Sequence, residues 1–86
     1  MATKASVEGD IIRLLGEKIE SDLTLTADTN IVADTGLDSV SVMDFVFELE
    51  DEFGITVPLD RISDVKTVGQ LTDAIYGLLE ETALTS

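Results

Sequence analysis

Cysteine and histidine are both missing from the 86 residues of this chain. Without cysteine there is no disulfide framework, no thiolate metal site and no nucleophilic thiol, a usage that fits a reducing compartment. Without histidine, neither a serine-histidine-acid triad nor a cysteine-histidine pair can be built. Bases are scarce as well. Lys4, Arg13, Lys18, Arg61 and Lys66 stand against 18 acids, giving a net charge of −13, and no base falls between residues 19 and 60. Such a chain repels itself and avoids nucleic acid and anionic membrane surfaces, so a basic partner surface is its natural complement. No run approaches the roughly 20 apolar residues of a membrane span, and the first residues, MATKASVEGD, hold no apolar stretch of signal-peptide length. A cytoplasmic monomer without membrane insertion is expected.

What the chain does have is a hydrophobic fraction of 44%, too high for a disordered acidic polymer. Its length suits one small domain, residues 1–86, with a modest core and no enzyme-sized substrate cavity. Val7, Ile11, Leu14, Leu15 and Ile19 recur at helical spacing and predict a first helix from about residue 4 to 20. From Ser21 to Asp38 the period is lost and turn formers gather, while Leu23, Leu25, Ile31, Val32 and Leu37 stay apolar. That pattern predicts a long loop pinned onto a core, of a length that usually carries function. A second helix is predicted from Ser39 to near Phe53, with Asp38 as N-cap and Gly54 as stop. After Pro58, Leu59 to Ser63 suit one short helical turn. Thr67 and Gln70 form a capping box for a last helix ending near residue 81, with fraying expected at Met1 to Thr3 and Thr82 to Ser86. The expected fold is an all-α four-helix bundle of three long helices and one short one, with a long loop between the first two.

The second helix carries two apolar stripes. At 100° per residue, Val42, Phe45, Val46, Leu49 and Phe53 share one core-facing arc. Val40, Met43 and Phe47 form a separate narrow arc, divided from the first by Glu50 and bordered by Asp44, Asp51 and Glu48. Two readings fit this second stripe. It packs under the long loop or the short helix, or it is an apolar ridge rimmed by carboxylates that docks a basic partner with an apolar patch. Met43 suits contact with several partners, because a methionine side chain adapts its shape.

Ser39 places one hydroxyl at the loop-to-helix junction. Capping alone accounts for an Asp38-Ser39 pair on spacing, and a modification site is the functional reading. Self-contained catalysis has little support, since the acids lie on a water-facing helix where little raises a carboxyl pKa. A calcium loop starting at Asp28 fails, because Val32 falls on a ligand position and Ala33 where glycine is required.

The segment GLDSVSVMDFVFELEDEF, from Gly36 to Phe53, resembles the acyl carrier protein family. The likeness extends to the long loop, Pro58 and the last capped helix, with Val40 in place of the usual leucine after the Asp-Ser pair. Ser41 and Glu48 are further departures, at positions where carriers of fatty acids commonly have an acid and an alanine. The resemblance implies 4'-phosphopantetheine attached to Ser39 by a phosphopantetheinyl transferase, with Asp38 as cap and recognition residue. It also implies that Val40, Met43, Asp44, Phe47, Glu48, Glu50 and Asp51 meet acyl-loading, condensing or acyl-transfer enzymes through their basic patches. The protein would be a carrier of thioesters for lipid or fatty-acid synthesis and not an enzyme. Polyketide, long-chain or aminoacyl cargo is the alternative, and an unmodified acidic adaptor is the alternative of another class. Phe45 and Phe47 add bulk on two sides of the helix, narrowing or reshaping any space for an acyl chain. Seven acids between residues 34 and 52 face no base among them. Moderate salt or divalent cations should therefore raise the melting temperature, and a salt-independent melting curve would contradict this.

Overall fold

Helix α1 (Lys4–Lys18) forms where Val7, Ile11, Leu14 and Leu15 recur, and all four are buried. In this computed structural model residues 3–19 and 24–85 are described. Thr3 does not fray. Its hydroxyl accepts the Ser6 N–H at 3.1 Å while the Ser6 hydroxyl accepts the Thr3 N–H at 3.1 Å, a reciprocal cap. Met1, Ala2 and Glu20 lie outside the described residues.

Helix α2 (Ser39–Phe53) starts at the Asp38 cap and ends at Gly54, which takes φ of 65°, a left-handed conformation that costs glycine little. Phe45, Val46 and Leu49 are buried, and Val42 and Phe53 pack half-buried against the same core. The chain then turns back on Glu50, whose carbonyl accepts the Ile55 N–H at 3.1 Å and whose carboxylate accepts the Val57 N–H at 2.9 Å. These bonds deliver Pro58 to the start of α3 (Leu59–Ile62), which has no buried residue.

Helix α4 (Val68–Thr85) opens with the expected box, Gln70 N–H to the Thr67 hydroxyl and Thr67 N–H to the Gln70 side chain, each at 3.2 Å. It runs on to Thr85, past the expected end near residue 81. Ala83 and Leu84 are good helix formers, the Thr82 hydroxyl bonds back to Leu78 O at 2.9 Å, and Glu81 pairs with Arg61 of α3. Ser86 lies outside the described residues. Among the described residues the architecture is all-α, with three long helices and one short one. α1 packs against both α4 and α2, and α3 packs on α4. Val68, Leu71, Ile75 and Leu78 supply α4's share of the core, and the loop residues Ile31, Ile55 and Val57 close it.

The long loop is pinned, by its backbone more than by its side chains. The Gly69 N–H donates to Ala27 O at 2.8 Å, the Val68 N–H to Thr29 O at 3.0 Å, and the Ile31 N–H to Lys66 O at 2.8 Å. Carbonyls of the loop thus cap two N–H groups in the first turn of α4. Ile31 is buried and Leu25 and Leu37 are half-buried, but Val32 is 51% exposed and Leu23 lies outside the described residues. Gly69 permits the approach, since an added Cβ would stand 3.1 Å from Ala27 O. Gly69→Val should therefore destabilise by about 1–3 kcal/mol through overpacking. Gly77→Ala, in the same helix with open space around it, should stabilise by ~0.5–1 kcal/mol. Urea denaturation of the two variants checks the contrast, and equal effects would refute it.

Candidate functional site

Ser39 is the first residue of α2 and is exposed. The chain reaches it through Gly36, held at φ of 74°, and Leu37, whose N–H donates to the Thr35 hydroxyl at 3.3 Å. The Asp38 carboxylate accepts the Ser41 N–H at 2.8 Å, and its carbonyl accepts the Val42 N–H at 3.0 Å. The Ser41 backbone N–H, and then the Ser41 hydroxyl, hold the Asp38 carboxyl below the usual aspartate value. Because that value is depressed in the folded chain, the cap is present above the ordinary aspartate range. It is lost only as pH falls through the lowered value.

The hydroxyl of Ser39 has no hydrogen-bond partner among the described residues, whereas that of Ser6 bonds Thr3 O and that of Ser63 bonds Asp60 O. The N–H groups of Ser39 and Val40 are likewise unpaired, at the positive end of a helix of 15 residues. An exposed hydroxyl beside two open N–H donors fits a phosphodiester, and the neighbouring Asp38 charge partly opposes it.

On the flank of α2, Val40 is 69% and Phe47 57% exposed, and Met43 is half-buried. The second stripe is therefore largely free of the loop and of α3. The acids around it divide into two groups. Glu48 pairs with Lys18 at 3.2 Å and Glu52 with Arg13 at 3.3 Å, both toward α1, and Glu50 holds the Val57 N–H. Asp44 and Asp51 are exposed, with no ion pair among the described residues. The polar side chains of Asn30 and Asp34 in the loop have internal duties too. The Asn30 side-chain oxygen accepts the Val32 and Ala33 N–H groups at 3.0 and 2.7 Å, and Asp34 accepts the Asn30 N–H at 2.8 Å. No group of three or more metal-binding side chains occurs among the described residues.

Next to this site the bundle holds a cavity of about 300 Å³ that sequence reasoning did not locate. Residues 30–33 of the loop, Val42, Phe45 and Val46 of α2, Ile62 of α3, Leu71 of α4, and Val65 and Lys66 between those two helices line it. Phe45 is one of its walls, as its bulk suggested, whereas Phe47 faces away. The signal in the sequence was the Val42, Phe45, Val46 spacing, which also describes ordinary core.

A family model described as a phosphopantetheine attachment site matches residues 9–75. A Caulobacter vibrioides protein named "Probable acyl carrier protein" is 38% identical over 66 residues, covering 77% of this chain and 72% of that protein. The acyl carrier protein of Exiguobacterium sibiricum is 35% identical over 74 residues, covering 85% of this chain and 94% of its own. The solved structure of the acyl carrier protein from Enterococcus faecalis superposes with a TM-score of 0.74 at 32% identity, over 90% of this chain and 99% of that one. An open serine hydroxyl, a bundle of three long helices and one short one, and these likenesses converge: the chain belongs to the acyl carrier protein family, carriers that work through 4'-phosphopantetheine.

Proposed function

We propose that Ser39 is the attachment point of 4'-phosphopantetheine and that the protein shuttles acyl chains of fatty-acid or lipid synthesis between enzymes. The observation that carries this reading is the hydroxyl of Ser39, exposed and unbonded at the start of α2. On a transferase, that hydroxyl attacks the phosphorus of coenzyme A that bears the pantetheine. A new oxygen–phosphorus bond forms and the pyrophosphate link breaks. Adenosine 3',5'-bisphosphate leaves, and the hydroxyl proton passes to a base on the transferase. The attached group supplies the thiol that this chain lacks and holds cargo as a thioester.

The chain's own residues set the conditions for that chemistry. Asp38 fixes where α2 begins, and with it the position of Ser39, while the N–H groups of Ser39 and Val40 favour the phosphodiester. Val40, Met43 and Phe47, flanked by Asp44 and Asp51, form the docking ridge for basic patches on the transferase and on acyl-loading, condensing or acyl-transfer enzymes. Glu48 and Glu50 contribute less, because Lys18 and the Val57 N–H already engage them. Docking through exposed charges is weak and salt-sensitive, while the tether raises the local concentration of cargo at each active site. The nearly apolar cavity favours a hydrocarbon cargo over a polyketide or aminoacyl one, whose polar groups would lose hydrogen bonds on entry.

Incubation with coenzyme A, magnesium and a broad-specificity phosphopantetheinyl transferase should add one phosphopantetheine mass to the native protein and none to Ser39→Ala. Absence of the gain in the first, or its persistence in the second, overturns the assignment. Asp44→Lys and Met43→Ala should each lower kcat/KM of a partner enzyme roughly five- to tenfold, the scale of about 1 kcal/mol per exposed contact. Circular dichroism should be unchanged in both variants. Unaltered turnover in both would remove the ridge from the docking surface.

A further inference from the structure

Four of the five bases of this chain are already paired. Lys4 meets Asp73, Arg13 meets Asp10 and Glu52, Lys18 meets Glu48, and Arg61 meets Glu81. Lys66 is exposed and has no carboxylate partner among the described residues, in a chain that holds 18 acids. Its backbone is fixed all the same. The Lys66 N–H donates to the Gln70 side chain at 2.7 Å, and the Lys66 carbonyl accepts the Ile31 N–H at 2.8 Å. Close by, where Asn30 pairs across to Thr67, stands a second idle donor. The Asn30 side-chain oxygen accepts from both Val32 and Ala33, which identifies it as the oxygen and leaves the NH2 group without an acceptor among the described residues. Both side chains border the same gap as Val42. Val42 follows Ser39 by three residues, about 4.5 Å of helix rise, so the two donors stand across that gap from the attachment end of α2.

We infer that Lys66 and Asn30 receive the polar stem of the 4'-phosphopantetheine arm, the Lys66 ammonium taking its anionic phosphodiester and the Asn30 NH2 group one of its amide carbonyls. The inference rests on the carrier reading of Ser39 and adds to it the residues that hold the arm, whatever the arm carries. The chemistry is complementary. Phosphodiester oxygens and amide carbonyls are acceptors, and the two side chains have only donors to offer. Lysine suits a phosphate that swings on a serine, because its ammonium is a point charge on a flexible stem and needs no fixed approach. Charge balance points the same way. The phosphodiester adds a negative charge beside Asp38 to a chain already at −13, and Lys66 is the base left to offset it. Each contact is a single bond near the surface, so the arm is held weakly and a partner enzyme that offers a stronger site can take it.

The test converts the native protein, Lys66→Gln, Asn30→Asp and Lys4→Gln with coenzyme A and a transferase, confirms each conversion by intact mass, and records melting temperatures with and without the arm. Asn30→Asp keeps an oxygen for the Val32 and Ala33 N–H groups but puts a carboxylate oxygen where the donor was. At low salt the change in melting temperature on attachment should be about 2–4 °C less favourable in Lys66→Gln than in the native protein, the scale of one exposed ion pair in a domain of this size. Asn30→Asp should shift it in the same direction. Lys4→Gln, which removes an ammonium already engaged by Asp73, should leave it at the native value. At about 1 M salt, where charges are screened beyond roughly 3 Å, the Lys66 effect should vanish. In NMR spectra the Asn30 NH2 and Lys66 ε-methylene signals should move on attachment and show contacts to the arm's methyl groups, which a purely structural role would not produce. An attachment effect in Lys66→Gln equal to the native one, with both signals unmoved, overturns the holding of the arm while full conversion keeps the carrier reading. A native protein that gains no mass strikes instead at Ser39 as the attachment point.

Discussion

Three backbone hydrogen bonds between residues 27–31 and 66–69 hold the rest of this structure in register. They satisfy donors at the start of α4 that would otherwise be orphaned, and they fasten an irregular segment whose apolar anchors are the buried Ile31 and the half-buried Leu25 and Leu37. The same bonds bring residues 30–33 against Val65, Lys66 and Leu71, which makes one side of the cavity. They also anchor the chain shortly before the turn at Gly36, so Ser39 emerges from a fixed point. Fold, cavity and attachment residue thus share one cause, and Gly69 allows it by leaving room for the Ala27 carbonyl.

Electrostatics divides the labour on α2. The two bases of α1 beyond its first turn, Arg13 and Lys18, reach across to Glu52 and Glu48. These exposed pairs contribute little stability individually. They neutralise the α1 side of the helix, so the uncompensated field gathers around Asp44 and Asp51, beside the exposed Val40 and Phe47. The scarcity of bases has a positional meaning. With none between residues 19 and 60, nothing nearby in sequence can quench the carboxylates on the side where apolar surface is exposed.

Most of the helical frame was legible from the sequence because each long helix repeats its apolar residues without interruption and carries its own end signals. Asp38 and Gly54 bracket α2 on chemistry alone, and Thr67 with Gln70 starts α4. The end of α4 was less legible, since the polar run Glu80-Glu81-Thr82 looks like a terminus until Arg61 of α3 is seen to pair with Glu81. Glu48 and Glu50 resembled docking acids because their partners are distant in sequence: an ammonium on another helix and a backbone N–H seven residues on. The cavity was only half legible. Its α2 wall has the Val42, Phe45, Val46 spacing of ordinary core, and its other side comes from irregular segments whose meeting with the helices depends on backbone pairing, to which side-chain patterns are blind.

Helix α3 contributes Ile62 to the cavity wall yet buries none of its residues. It is tied at one end through the bond from the Glu50 carboxylate to Val57 and at the other through Arg61 and Glu81. Its polar ties are one part-buried hydrogen bond and one exposed ion pair, and its apolar contribution is a half-buried isoleucine, whereas α1, α2 and α4 pack through fully buried side chains. This wall is therefore held by fewer and weaker contacts than the packing of α1, α2 and α4. Substitutions at those ties can reshape this wall without touching the core on which the bundle stands.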